Sequence, residues 1–509
     1  MKMVKSLMLG SAAGLLAMGG AQAADLPLKA KAVEYVRICS LYGAGFWYIP
    51  GTDTCIRIGG AIRIDTALNG NIYDAPFWQG GASGSQAYGK NWFQGRSRVN
   101  LTTDTRTATE YGVVRTYGNV QMDWTSNGGS GIAGGAPVEV DYAFMQFAGF
   151  TIGKAVSEYD PQWALAKPSI SSGVFAGSND ATGINQLAYT WTFGGGASAT
   201  LAVEDGQPYR TAGVVNTSTA MLNGLIALTP PPGSYGVGNF TGNAVAGDHV
   251  PDVVGNVRVD QAWGSFHVAG AAHEVHGTYY GADSTTGHPG STYGYAVTAA
   301  FELKNLPTGA GDSFKAEAGF AHGAAKYVFG GTIDTTGAGR FLHTDGTQGG
   351  RMALGYVLDG IYSGTNAATN GTSINLSNSW EVTAWYEHYW NPQWRTSLFG
   401  NYSAITYGSG GTALLAALSN PAQNTGFGSI TATSGNLNFA IAQVGTRTAW
   451  QPVKDLTFSA EFVYSRLITN LTGTFTNAAG GISGAPVGQV YTIGSQNTYN
   501  VGLQALRSF

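Results

Sequence analysis

Charge is what this chain has least of. Only 11% of its 509 residues are Asp, Glu, Lys or Arg, against about 25% in ordinary soluble proteins. A surface wholly in contact with water is therefore not expected. Cysteine is nearly missing too, with Cys39 and Cys55 the only two. That pair offers too few donors for a structural metal centre. In an oxidising compartment it is expected to form one disulfide, the alternative being two free buried thiols. After residue 23 no stretch approaches the run of about 20 unbroken apolar residues that a spanning helix needs. Helical spans are excluded, but strands are not, because hydropathy barely registers them. The formal net charge of −4 is too balanced to argue for nucleic acid as a partner.

Glycine and aromatic residues are plentiful, with 76 glycines and 12% Phe, Trp and Tyr. Few charges and many aromatics suit a sheet that faces lipid and carries aromatic girdles. Residues 1–23 are expected to be removed. Lys2 and Lys5 make a basic start, Leu7 to Met18 an apolar run, and Ala21-Gln22-Ala23 a small-residue cleavage site, the pattern of a secretory signal. A mature chain from Ala24 would carry −6. Residues 24–54 are then expected to form a periplasmic segment ahead of a domain covering 55–509.

That domain reads as alternating segments with a period of two, the signature of half-exposed strands. Sixteen are expected: 55–68, 96–107, 109–124, 138–148, 150–159, 184–193, 197–204, 251–262, 265–280, 291–306, 312–329, 378–390, 394–407, 437–450, 456–469 and 496–509. The connectors alternate strictly between short turns and long loops. An all-β, transmembrane, antiparallel β-barrel of 16 strands produces that rhythm, with short periplasmic turns and long extracellular loops. A barrel of this size leaves an aqueous channel rather than a filled interior. The last strand, ending at Phe509, would pair with the first and leave no open edge, which a bilayer does not tolerate. The long loops are 205–250 and 330–377; within the second, 352–362 is apolar and could hold structure of its own. Loops this long can cap the mouth.

Sidedness follows from the same period. In the first strand Ile56, Ile58, Ile62 and Ile64 share one face, while Arg57, Arg63 and Asp65 share the other. A charge facing lipid near the midplane costs about 2–4 kcal/mol, so the arginines are expected to face the lumen. Arg57, Arg63, Arg96, Arg98, Arg106 and Arg115 all fall on the first three strands and would form a basic arc of channel wall. The connector 160–183 is the expected constriction loop, folded into the lumen, with Glu158, Asp160 and Asp180 supplying acid opposite that arc. Acid facing base across a narrowing would sort ions.

Other signals carry less. His273-Glu274-Val275-His276 lacks the i, i+4 helical spacing of a zinc-protease motif, and on a strand its two histidines face opposite sides. Glu381 and Glu387 lie about 20 Å apart on one extended strand, too far for a glycosidase pair, and read as lumenal charges. Trp380, Trp390, Trp394 and Trp450 read as interface girdle, the alternative being a sugar-stacking track. No catalytic residue, metal site or cofactor is expected.

The stretch from Val33-Glu34-Tyr35-Val36-Arg37-Ile38-Cys39 through Gly43-Ala44-Gly45-Phe46-Trp47-Tyr48-Ile49-Pro50-Gly51 to Cys55-Ile56-Arg57-Ile58 closely resembles the mature N-terminus of alphaproteobacterial general porins. Glu110-Tyr111-Gly112, Ala143-Phe144-Met145-Gln146-Phe147-Ala148-Gly149-Phe150, Glu387-His388-Tyr389-Trp390 and Arg507-Ser508-Phe509 resemble them more weakly. The resemblance implies a sixteen-stranded barrel in a homotrimer, each pore narrowed by its third loop, passing small hydrophilic solutes passively. It also implies the Cys39–Cys55 bond. The expected setting is the bacterial outer membrane. Expected partners are its lipid and lipopolysaccharide, small hydrophilic solutes, and the barrel-assembly machinery, for which Phe509 would be the C-terminal signal. Two alternatives remain: a substrate-specific channel for sugars or anions, and a barrel-anchored adhesin or surface-interaction protein. The extra length around 205–250 and 330–377 departs from the family's usual size.

Overall fold

The structure, a computed structural model, describes residues 37–69, 93–126, 138–170, 177, 183–206, 212–218, 244–281, 283–330, 340–344, 350–416, 428–477 and 486–509. The expected signal, 1–23, lies outside these.

Sixteen strands form the wall: β1 (Thr54–Leu68), β2 (Phe93–Thr109), β3 (Gly112–Thr125), β4 (Val138–Phe147), β5 (Phe150–Ala155), β6 (Ile184–Gly194), β7 (Ala197–Glu204), β8 (Asp252–Gln261), β9 (Gly264–Val275), β10 (Thr292–Lys304), β11 (Ser313–His322), β12 (Asn378–Asn391), β13 (Trp394–Thr406), β14 (Phe439–Val453), β15 (Leu456–Thr469) and β16 (Gln496–Ser508). Each pairs antiparallel with its neighbour in sequence, and β16 pairs back onto β1 from Ala61↔Ser508 to Leu68↔Val501. The cylinder is closed, so every strand edge within the bilayer is satisfied. Phe509 completes the seam by exchanging backbone hydrogen bonds with Gly60, 3.0 Å each way. Its ring crosses Gly60 so closely that a Cβ there would lie 2.9 Å from the ring Cζ.

Alternation sets the two faces. Ile58, Ile62 and Ile64 on β1, Leu187 and Trp191 on β6, and Val253 and Val257 on β8 are exposed on the outside, where lipid replaces water as the solvent. Trp263, Trp390, Trp394 and Trp450 are also exposed, at the short-turn rim. Trp394 and Trp450 stack at 5.6 Å between centroids. Trp380 stacks on Tyr402 on the same outward face near the opposite rim. These five tryptophans are girdle residues and form no track inside the lumen.

Ahead of β1, the disulfide joins Cys39 to Cys55. It holds the short strand Trp47–Tyr48 against the start of β1.

Several strands stop earlier than alternation suggests. β5 ends at Ala155 rather than near Tyr159, because Asp160 bonds back to Ser157 in a turn and Pro161 has no N–H to continue a ladder. β9 ends at Val275, not at Tyr280. β11 ends at His322 because Gly323 takes φ +61°, a conformation that glycine adopts without penalty. The apolar stretch after Gly323 leaves the wall altogether.

Those departing segments build an apolar core across the long-loop end. Gly213–Asn216, Leu358–Tyr362 and Asn375–Leu376 form one small sheet. Arg340–Thr344, Arg351–Tyr356, Val490–Ile493, Thr472–Asn477 and Gly428–Ser434 form another. Val328, Phe329, Ala353, Val357, Leu358 and Phe475 have no solvent exposure. They rest on inward-facing small or apolar residues near the tops of the strands, including Ala188, Ala202, Ala296, Ala321 and Ile441. A buried polar cluster ties this cap to the wall. Asp252 on β8 takes Lys326 Nζ at 2.8 Å, His273 Nδ1 at 2.7 Å and the Tyr327 hydroxyl at 2.6 Å.

Candidate functional site

One connector runs inside the barrel rather than over it. After β5 the chain turns inward. Ser157 donates its hydroxyl to Glu204 on β7 at 2.8 Å, and Asn256 on β8 donates to the Glu158 backbone at 2.7 Å. The Tyr159 carbonyl accepts from His267 on β9 at 2.9 Å. A 3-10 turn, Gln162–Ala166, then lays Trp163 against Trp385 on β12 at 5.4 Å between centroids. Further on, the Pro168 carbonyl accepts from Ser397 on β13 at 2.6 Å, and the Ile170 N–H donates to Glu461 on β15 at 2.6 Å. Finally the Ile170 carbonyl accepts from Arg63 on β1 at 2.5 Å. The segment thus hugs the inner wall from β7 round to β15 and touches β1 with its far end.

Among the described residues, the inner face of β1–β4 is the arc this loop leaves uncovered, and the six arginines sit there in two tiers. The upper tier holds Arg63, Arg96 and Arg98. Arg96, 4% exposed, grips Asp65 at 2.6 Å, Arg63 reaches the same carboxylate at 2.8 Å, and Arg98 forks onto Asp123 at 2.6 and 2.7 Å. In the lower tier one carboxylate, Asp104, receives Arg106 at 3.0 Å, Arg115 at 3.1 Å and Arg57 at 3.7 Å. The rings of Phe46 and Tyr42, brought in by the disulfide-bonded segment, cover Arg106 at 5.0 and 5.6 Å, and Phe46 covers Arg57 at 5.0 Å.

The arc is therefore not a bare basic patch. Glu139 and Asp141 on β4 share its inner face, accepting from Gln121 and Asn119. Six guanidinium groups stand among five carboxylates, a formal excess of one positive charge. The reason is energetic: a charge that is partly out of water is costly unless a counter-charge and hydrogen bonds accompany it.

The loop acids are placed differently from one another. Glu158 takes a 2.9 Å hydrogen bond from Asn256 on its carboxylate, and burial pushes its pKa up. Asp160 is buried beneath the loop. Both lie against the wall across from the arginines, and Asp180 falls outside the described residues. Sequence reasoning missed Asp104, although it shares the parity of Arg96, Arg98 and Arg106 on β2. It read Glu387 as a lumenal charge but missed its partners: Arg447 meets Glu387 at 2.8 Å and Arg395 reaches the same carboxylate at 3.5 Å.

A closed sixteen-stranded wall with one loop drawn inside invites comparison with known proteins. A family model described as the porin subfamily matches residues 25–488. The chain belongs to the porin subfamily. As a porin it resides in the bacterial outer membrane. It is 31% identical to the porin Omp2b of Brucella suis biovar 1 (strain 1330) over 270 residues, covering 52% of this chain and 64% of that relative. Omp2b of Brucella melitensis biotype 1 is 32% identical with the same coverage. The match thus spans 64% of the length of these relatives. Among solved structures, the outer membrane channel DcaP of Acinetobacter baumannii shares the fold with a TM-score of 0.54. That likeness covers 91% of this chain and 99% of DcaP at 14% identity.

Proposed function

We propose that this porin is a passive, weakly ion-selective diffusion channel whose aqueous path runs along the β1–β4 arc. The loop 156–170 and the apolar cap both press against the wall from β6 onward, and this one-sided packing carries the reading. Apart from Arg63, which meets the far end of the loop, the six arginines and five carboxylates of the β1–β4 arc stay clear of both among the described residues, the surface that hydrated ions and small hydrophilic solutes would contact. A near balance of arginines and carboxylates favours weak selectivity over a strong preference for either sign.

Three protomers assemble as a homotrimer in this reading, and the exposed aromatic and aliphatic belt meets lipid and lipopolysaccharide. Phe509, exposed at the short-turn rim, is the handle for the assembly machinery. Planar-bilayer recording of the purified protein tests the channel. Open-state steps, grouped in threes, are expected, and Arg57→Glu or Arg115→Glu should move the reversal potential in a salt gradient toward cation preference. Folded protein that leaves the membrane sealed ends the proposal, and an unmoved reversal potential moves the path off this arc.

A further inference from the structure

A cluster of metal-ligating side chains lies outside the lumen, on the lipid-side face of β9 at the long-loop rim. Glu274 and His276 stand on one face there, whereas His273 points the other way into the Asp252 cluster. The returning segment 244–250 lies over Glu274 and His276. Ala246 N–H donates to the His276 carbonyl at 2.9 Å, Thr278 N–H donates to the Ala244 carbonyl at 2.8 Å, and His249 is brought alongside. The donor atoms of His249, Glu274 and His276 all lie within 4.8 Å of one another. The rings of His249 and His276 are 4.1 Å apart between centroids.

We propose that His249, Glu274 and His276 form a binding site for a divalent transition-metal ion of the Zn2+ class. Two imidazoles and a carboxylate are a donor set that suits this class and keeps a coordination position open. The outer hydrogen bonds are arranged for it. His276 Nδ1 lies 3.0 Å from the Gly247 carbonyl. A carbonyl can only accept, so Nδ1 carries the proton and the Nε2 lone pair is left for a metal, the arrangement that orients ligand histidines. Glu274 is oriented in a similar way. Its Oε2 accepts from the backbone N–H of His249 at 2.7 Å and of Val250 at 3.0 Å, while Oε1 stands 4.0 Å from His249 Nδ1.

Ligand atoms around tetrahedral zinc sit about 3.4 Å apart, so the site must tighten. Glu274 is 3% exposed and fixed, whereas His249 is 66% exposed and free to swing in. His288, its ring 6.2 Å from that of His276, is the nearest fourth donor. Its Nδ1 lies 2.8 Å from the Pro289 carbonyl, which leaves its Nε2 open in the same way. A bound ion would staple the end of the 205–250 insertion to the top of β9, beside the contact between Tyr280 and the cap residue Tyr362.

The test uses the full chain folded in detergent, stripped with chelator and titrated with ZnCl2 by calorimetry. Co2+ serves as a spectroscopic probe in a parallel titration. One Zn2+ per protomer and the visible absorption of tetrahedral Co2+ are expected. Glu274→Gln and His276→Ala should each weaken Zn2+ binding about tenfold or more, while His388→Ala at the other rim leaves it unchanged. His249→Ala changes an exposed side chain and should fold normally, so it carries the test if the buried variants do not fold. Absent saturable binding, or wild-type affinity in folded His249→Ala or His276→Ala, overturns the site. The readout is independent of conductance, so it stands or falls apart from the channel.

Discussion

Asp104→Asn is the sharpest perturbation of the lumenal wall. It keeps the volume of the side chain and removes the one carboxylate shared by Arg57, Arg106 and Arg115. An exposed ion pair is worth about 0–1 kcal/mol, and breaking a buried one from one side costs about 3–5 kcal/mol. Asp104 is 2% exposed but its partners are 48%, 28% and 29% exposed, so the loss should fall between, at about 2 kcal/mol. The unmasked charge also acts on permeating ions. At about 6 Å in water a unit charge is worth about 0.7 kcal/mol, reduced to about 0.4 kcal/mol by screening in 0.1 M salt. That is about a twofold change in the local concentration of each ion. Reversal potentials in a KCl gradient should therefore move toward chloride, and the urea midpoint of the detergent-folded barrel should fall. A folded variant with an unchanged reversal potential, or one moved toward potassium, refutes the placement of this cluster on the conducting path.

Three further outcomes follow from the same geometry. Gly60→Val would drive a Cβ into the Asn100 backbone carbonyl on β2 and to 2.9 Å from the Phe509 ring; the heat-resistant band of the folded barrel should be lost, Phe509→Ala in the same chain should not restore it because the backbone clash remains, and an intact band in Gly60→Val would refute this close approach. Trp163→Ala removes the ring packed on Trp385 and loosens the inner loop locally by about 3–5 kcal/mol, so conductance should rise and become noisier; quiet currents of wild-type size would mean the loop does not bound the path. Asp312, in the turn before β11, would be raised by burial alone, but hydrogen bonds from Thr308, His388, Tyr389 N–H and Tyr386 hold its carboxyl well below the usual range. A depressed carboxylate pKa gives stability that is present above about pH 4 and lost as pH falls toward the folded value. Asp312→Asn should therefore flatten the acid limb of the stability profile measured by denaturant titration.

Alternation alone makes most of the wall legible in the sequence. Lipid on one side and water on the other impose a period of two, so the strands could be read directly. What stayed hidden has two physical causes. Listing basic residues alone passed over Asp104 and left the wall looking positive, although partly desolvated guanidinium groups require counter-charges on the same parity. The cap was hidden by composition. Ala188, Ala202, Ala296 and Ala321 face inward, yet alanine is as neutral in a pattern as a lumenal spacer. Runs such as Ala324-Ala325-Lys326-Tyr327-Val328-Phe329 extend an apparent strand past its last ladder bond. Their burial depends on partners more than 100 residues away in sequence, such as Phe439 against Phe329, and no local period reports such partners.

The alanines explain why cap and channel can coexist. A lumen lined throughout by long polar side chains would give an apolar loop nothing to rest on, and burying those chains unpaired would be costly. Small inward residues near the tops of β6, β7, β10 and β11 remove that obstacle and let Val328, Val357 and Leu358 pack to full burial. On β1–β4 the inward residues at the same depth are Asp65, Arg96, Asp123 and Glu139, which cannot host an apolar core. Chemistry therefore divides the circumference, with one sector built to be filled and the other to stay wet. Replacing Ala296 and Ala321 by glutamate should unseat the cap and widen the path, while like substitutions on the β1–β4 arc should change only its charge. Equal conductance in both sets would mean that the division has no bearing on permeation.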